Sequence, residues 1–182
     1  MKGSNGKSLR METYKSPSKD FHYIGMEHIE KATGRLINVP IVKGEQIKSQ
    51  TVTVPNGYFI YGKLRPYLNK YWYNNTYWDN LVCSSELFVF KIKENINTRF
   101  FELVLGSDIV QEQIADLTSG ARMPRITETV FKNIQIPIPP LDIQMKLAEQ
   151  IDRITEEIKE LRNSSLQKRI IALKNFETQI FE

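Results

Sequence analysis

From Phe21 to about Ile92 the apolar positions fall in short runs of Tyr, Ile, Val, Phe and Thr, bounded by Gly, Pro and Asn. That pattern predicts a sheet. Its clearest hairpin is expected where Thr51-Val52-Thr53-Val54 and Tyr58-Phe59-Ile60-Tyr61 flank Pro55-Asn56-Gly57, since Pro and Gly supply the backbone angles of a tight turn. Leu87 to Ile92 starts apolar on both faces and predicts a central strand. From Thr98 to Leu117 the spacing becomes helical. Phe100, Phe101, Val104, Leu105, Ile109, Val110 and Ile114 give a broad apolar face, expected to split near Gly106 into two short helices. After Ser119-Gly120 the chain returns to extended character. It ends that stretch in Ile134-Gln135-Ile136-Pro137-Ile138-Pro139-Pro140, which no helix interior or central strand accommodates.

Beyond that proline boundary the period changes once more. Asp142 is placed to cap a helix in which Leu147, Ile151, Ile154, Ile158 and Leu161 recur at alternating steps of four and three, a heptad seam. At Asn163-Ser164-Ser165 the register slips, and the apolar positions resume at Leu166, Ile170, Leu173, Phe176 and Ile180. A helix from about Ile143 to Phe181 spans roughly 58 Å, longer than a small domain is wide, so part of its seam should meet another helix. A helix folded back over its own body, or broken at Ser164 into a hairpin, is the alternative. The expected fold class is therefore α+β. A mixed or antiparallel sheet with short helices occupies residues 1–140, with a polar arm over 1–20, and one long coiled-coil-forming helix occupies 141–182.

Charge follows the same division. The chain has 182 residues and a net charge of +4. Residues 1–140 hold 18 basic and 13 acidic side chains, whereas residues 141–182 hold 7 and 8. A basic body beside a near-neutral tail points to a polyanion for the body and a different task for the tail, although such an excess is also ordinary surface charge. No apolar run reaches membrane-spanning length and the first twenty residues lack a signal-peptide core, so a cytosolic protein is expected. The single Cys83 excludes an internal disulfide, and with His22 and His28 it makes no cluster of zinc spacing.

Catalytic patterns are thin. The chain has no Gly-rich phosphate loop. Its one double proline, Pro139-Pro140, lies between Ile138 and Leu141, not in the Asn/Asp-Pro-Pro-aromatic setting of an amino-methyltransferase. Asp79 and Glu86 are a weak metal-nuclease pair. The polar feature that stands out is Tyr61 to Asn75, where Lys63, Arg65 and Lys70 alternate with Tyr67, Tyr71, Trp72, Tyr73, Asn74 and Asn75. Cations for phosphates, rings for stacking and amides for adenine edges are the components of nucleic-acid recognition. A half-buried sheet with solvated lysines is the competing interpretation. A second basic turn, Thr118-Ser119-Gly120-Ala121-Arg122-Met123-Pro124-Arg125, has the composition of a phosphate clamp, or of a structural turn with Arg122 paired to a carboxylate such as Glu86.

Five short motifs occur in order: Tyr23-Ile24-Gly25-Met26-Glu27-His28-Ile29, Tyr61 to Lys70, Ser84-Ser85-Glu86, Ser119 to Met123, and Ile136 to Leu141 with Gln144 opening the helix. Together they resemble the specificity subunit of type I restriction-modification systems. The resemblance implies a non-catalytic chain without a cofactor of its own. It would bind double-stranded DNA and direct an adenine-N6 methyltransferase subunit, which takes S-adenosylmethionine, and a restriction subunit, which takes ATP and Mg²⁺. Such subunits usually carry two recognition domains and two helices, whereas this chain has one of each. A homodimer through Leu147, Ile151, Ile154, Ile158, Leu161, Leu166, Ile170, Leu173 and Ile180 would supply the second half-site reader.

Members of that family read different DNA sequences, so residues shared as signature do not choose bases. Lys63, Arg65, Lys70, Arg122 and Arg125, with Tyr67, Ser119 and Gly120 beside them, are expected to hold phosphates or brace the scaffold. Base readers are expected in Lys15 to Asp20, Lys43 to Gln50 and Asn74 to Asp79, among them Lys15, Lys19, Lys48, Asn74 and Asn75. A stand-alone DNA-modifying or DNA-cleaving enzyme and a coiled-coil scaffold without DNA are the rival functions.

Overall fold

The computed structural model describes residues 10–11, 16–118 and 123–181. Lys15 and the turn at Ser119, Gly120 and Arg122 lie outside them. The chain divides into one unit from Met1 to Ile138 and another from Pro139 to Glu182. The first is α+β, as its patterning predicts. Its strands are β1 (Arg10–Met11), β2 (Asp20–Ile24), β3 (Ile41–Lys43), β4 (Thr51–Thr53), β5 (Phe59–Gly62), β6 (Tyr71–Tyr73), β7 (Leu81–Ser84) and β8 (Leu87–Phe90), followed by helices α1 (Thr98–Gly106), α2 (Asp108–Thr118) and α3 (Glu128–Asn133).

The strands form two sheets, one ordered β1-β4-β7-β2-β3 and the other β6-β5-β8. The pairings are antiparallel except that of β2 with β7. Ile24, Leu81 and Cys83 of the larger sheet meet Ile60, Trp72 and Leu87 of the smaller in one buried cluster. On the other face of the small sheet, Phe59 meets Phe101 of α1 edge to face at 5.0 Å, and Tyr61 and Phe88 lie against Phe131 of α3 at 4.7 and 5.1 Å. Strand β5 is thus buried throughout. Burial pushes the Tyr61 phenol up to about 12, against a smaller downward pull from Gln111. It pushes the Cys83 thiol up to about 12 as well, which leaves that thiol neutral and unreactive at physiological pH.

The predicted Thr51–Tyr61 hairpin does not form. Its turn exists, with Gly57 at φ +81° and the Tyr58 N–H donated to the Pro55 carbonyl at 3.2 Å. Its two arms part, however: β4 pairs with β1 and β7, β5 with β6 and β8. Asn74 is bonded to the chain between them: its side-chain amide donates to the Val54 carbonyl at 2.9 Å and its backbone carbonyl accepts the Gly57 N–H at 2.7 Å. The alternation in each arm thus reports a different sheet.

Strand β8 is not central, as expected, but an edge strand ending at Phe90. It is apolar on both faces because both are covered: Leu87 enters the inter-sheet cluster and Val89 packs against it, while Phe88 and Phe90 stack among the aromatics. The 98–117 helical run breaks at Ser107, whose hydroxyl donates to the Val104 carbonyl at 2.7 Å. Helix α3 falls where extended chain was expected. It is capped by Thr127, whose hydroxyl oxygen accepts the Val130 N–H at 3.3 Å, and its six residues are too few to establish a period.

The second unit is one unbroken helix, α4 (Leu141–Phe181). Asn163-Ser164-Ser165 shifts the apolar register without ending it, since neither Pro nor Gly is present. Asp142 is not the cap but lies in the first turn, where its carboxylate still faces the positive helix end. No helix among the described residues is long and apolar enough to cross a membrane.

Phe101 is fully buried against Phe59 and Phe90. Phe101→Ala is expected to cost about 3–5 kcal/mol, measured as a lowered urea midpoint with an unchanged slope; a loss below about 1 kcal/mol would contradict this packing.

Candidate nucleic-acid interface

Past Gly62 the β5 chain continues alongside Pro124 to Ile126. Arg65 donates its N–H to the Pro124 carbonyl at 2.8 Å and Ile126 donates to the Lys63 carbonyl at 2.9 Å. This bridge, centred on Leu64 and Arg125, joins the two basic motifs, which lie some sixty residues apart in sequence. Arg65 then turns the chain at φ +49° into a single 3-10 turn, Pro66–Leu68, and Asn69 turns it out at φ +45°. A left-handed non-glycine residue costs about 1–2 kcal/mol. Hydrogen bonds hold both in place, including one from the buried Asn69 amide to the Leu105 carbonyl at 2.9 Å. The turn presents Arg65 and Tyr67 to solvent.

The cations of this region separate into two kinds. Lys63 donates its ammonium to the Ser85 carbonyl at 2.6 Å and sits 4.9 Å from the Phe88 ring centre. Lys70 donates to the Met26 carbonyl at 2.7 Å. Both are tied into the scaffold. Arg125 forms a two-pronged pair with Glu86, at 2.7 and 3.2 Å. The carboxylate considered for Arg122 is thus engaged by Arg125. Arg65 has no ion-pair partner among the described residues and keeps its guanidinium at the surface.

A second surface forms at the opposite end of β6. The segments 16–20 and 43–50, distant in sequence, are bonded to each other there, and 74–80 is fastened to the same strand β2 through His22. Gly44 donates its N–H to the Lys19 carbonyl at 2.9 Å, Glu45 donates to that of Pro17 at 3.1 Å, and Lys43 pairs with Asp20 at 2.9 Å. His22, paired across the sheet with Ile41, stacks on Trp78 at 4.7 Å and donates Nδ1–H to the Asp79 carbonyl at 3.2 Å. Trp78 continues inward to Trp72 at 6.5 Å. Lys19, Lys48 and Asn75 stand exposed, and Tyr77 is 91% exposed.

One expected contact is corrected. Asn74 is only 2% exposed; its amide donates to Val54, and its carbonyl oxygen accepts from the Thr76 N–H and hydroxyl at 2.9 and 2.8 Å. It shapes the loop, and its burial withdraws it from a base. Tyr77 and Trp78 fall inside the 74–79 segment expected to hold base readers but are not singled out by the sequence, and His22 sits at a strand position, with no metal-ligand neighbours among the described residues. The available signal was adjacent aromatics flanked by polar residues, with no apolar run to bury them. Among the described residues no cluster of His, Cys, Asp and Glu could hold a metal ion.

Lys63→Ala and Lys70→Ala should each lower stability by about 1–3 kcal/mol, the range for a lost charge-assisted hydrogen bond, while exposed Arg65→Ala should change it by under about 0.5 kcal/mol. Chemical denaturation of the three variants checks this; equal effects would reject the division into scaffold and surface cations.

The chain is similar to known proteins in sequence and in fold. The chain is 24% identical over 132 residues to the type I restriction enzyme EcoDI specificity subunit of Escherichia coli, a match covering 72% of this chain and 29% of that protein. It is 32% identical over 83 residues to the MjaVIII specificity subunit of Methanocaldococcus jannaschii, covering 44% and 19%. In fold it matches the HsdS subunit from Thermoanaerobacter tengcongensis with a TM-score of 0.73 at 23% identity, over 85% of this chain and 40% of that one. The chain therefore spans less than half the length of each of these proteins. Residues 3–168, nearly all of the sequence, match the type I restriction modification DNA specificity domain, and the chain belongs to that family.

Proposed function

We propose that this chain is the DNA-reading component of a type I restriction-modification system, non-catalytic in itself. One recognition unit, residues 1–140, would bind one half-site of double-stranded DNA and direct a methyltransferase subunit and a restriction subunit to it. The observation that carries this reading is the convergence of three segments outside the family signature on one exposed surface of the first unit. The hydrogen bonds Gly44 to Lys19 and Glu45 to Pro17 join two of those segments, and the His22 to Asp79 contact fastens the third to strand β2, which the first segment enters. They are the segments in which family members that read different sequences are expected to differ. Arg65, Tyr67 and Arg125, with Ser119, Gly120 and Arg122, are assigned to phosphate contacts or bracing. S-adenosylmethionine, ATP and Mg²⁺ belong, on this reading, to the partner subunits in the cytoplasm.

Helix α4 is assigned to spacing and assembly of two half-site readers. Its seam residues Leu147, Ile151, Ile154 and Ile158 are each 40–44% exposed, and Leu161, Leu166, Leu173 and Ile180 are 52–70% exposed. Ile170, on the same seam, is 38% exposed. Apolar rows at heptad spacing over a helix of this length favour pairing with a second helix, and a second copy of this chain offers an identical seam.

Gel retardation of the full chain, alone and with its methyltransferase subunit, tests the DNA reading. Arg65→Ala is expected to weaken binding to all duplexes alike and to reduce the slope of log affinity against log salt by about 1; altered sequence preference at constant non-specific affinity would reject its phosphate role. Turnover of DNA by the chain alone, with Mg²⁺ or S-adenosylmethionine, would favour an enzyme instead. Light scattering tests the seam. A dimer is expected at tens of micromolar, and Ile154→Lys with Ile158→Lys should convert it to monomer; a monomeric parent would assign the seam to the partner subunits.

A further inference from the structure

The aromatic loop between β6 and β7 carries an assignment beyond the general DNA reading. We infer that Tyr77 is a specificity-determining residue that places its ring against base edges in a DNA groove. The inference rests on the function proposed above and names the residue of that surface that would read sequence.

Three observations carry it. First, Tyr77 is 91% exposed, whereas the aromatic beside it, Trp78, is packed on His22 at 4.7 Å. Trp78 is still 39% exposed, so the two rings together present an aromatic surface with polar tips, the composition of a contact surface. Second, the loop beneath Tyr77 is tied down on both sides. Thr76 donates its N–H to Asn74 at 2.9 Å, its carbonyl accepts from Asn56 at 2.8 Å, and the Asp79 carbonyl accepts from His22 at 3.2 Å. Asn80 closes the loop at φ +54°. An aromatic on a fixed loop loses little conformational freedom on binding, which is how rigid anchors gain affinity.

Third, the loop's charge selects the part of DNA it can approach. Asn74 to Asn80 contains Asp79 and no cation. A carboxylate with no neighbouring cation on its own loop is repelled by phosphates, so this loop is poorly suited to the backbone. Base edges are different: a phenol ring offers an apolar face to a thymine methyl group and a hydroxyl to purine or thymine acceptors. Lys19, beside β2 to which the loop is fastened through His22, and Lys48, on the segment bonded to it, are exposed and carry the positive charge that a phosphate requires. A cation-free loop bearing the Tyr77 ring and separate segments bearing cations correspond to the division of labour found in sequence-specific recognition.

The test uses the full chain expressed in a host with its methyltransferase subunit, with methylated adenines mapped across the genome. The parent chain defines a methylated motif. Tyr77→Ala is expected either to relax that motif at one base pair or to lower methylation at it roughly tenfold or more, the scale of one lost base contact. Tyr77→Phe, which keeps the ring, should retain most of it. An unchanged motif and unchanged methylation in Tyr77→Ala would overturn the inference. So would loss of co-purification of the methyltransferase subunit with Tyr77→Ala, since that would make the ring a protein contact. A parent chain that yields no methylated motif would instead overturn the specificity reading itself, and the assignment of Tyr77 with it. Because Tyr77 is exposed, melting temperatures of the two variants should match the parent, and a large drop would assign the ring to the fold and overturn the inference.

Discussion

Strand β5 is buried along all four of its residues, and the first unit is organised around that constraint. A strand covered on both faces needs apolar partners on each side and backbone partners on each edge. Phe59 and Tyr61 take the helical face, Ile60 takes the inter-sheet face, and β6 and β8 take the edges. Both candidate surfaces are reached from it. Its C-terminal extension pairs with Pro124 to Ile126 and fixes the Arg65 turn, while the turn before it is bonded to Asn74 and so fixes the aromatic loop. Displacing β5 would move both surfaces at once.

The polar residues around this strand divide by what burial does to them. Lys63 and Lys70 lie close enough to the interior that their ammonium groups must be paired, and backbone carbonyls pair them. An amine removed from water without a partner costs several times what an exposed salt bridge gains. Arg65, a few positions away, carries the same charge but stays in water and remains available to a ligand. Identical charge in one short motif therefore serves two ends, and depth below the surface decides which.

Much of the architecture was legible. The alternating runs, the break near Gly106 and the long helix that carries Leu147 to Ile180 are written in short stretches of sequence, and strands, paired short helices and one long helix stand there. The errors have a common character. Thr51 to Tyr61 reads as a hairpin because its arms alternate around a good turn, yet strands distant in sequence take the edges of each arm and leave them in separate sheets. Leu87 to Phe90 reads as central because it is apolar on both faces, yet covering layers, not neighbouring strands, hide those faces.

The candidate site divides the same way. The basic motifs and the polar segments outside the signature were visible as compositions, and five short motifs in order carried the family resemblance. Which lysine is tied to a carbonyl, that Asn74 points inward, and that Tyr77 stands free beside a stacked Trp78 were not visible. The sequence determined the fold class, the long helix and the family, because periodicity and short ordered motifs are local and survive without coordinates. Only the tertiary structure decided which strands share a sheet and which polar groups face solvent, because those outcomes depend on hydrogen bonds and packing between residues that are distant along the chain.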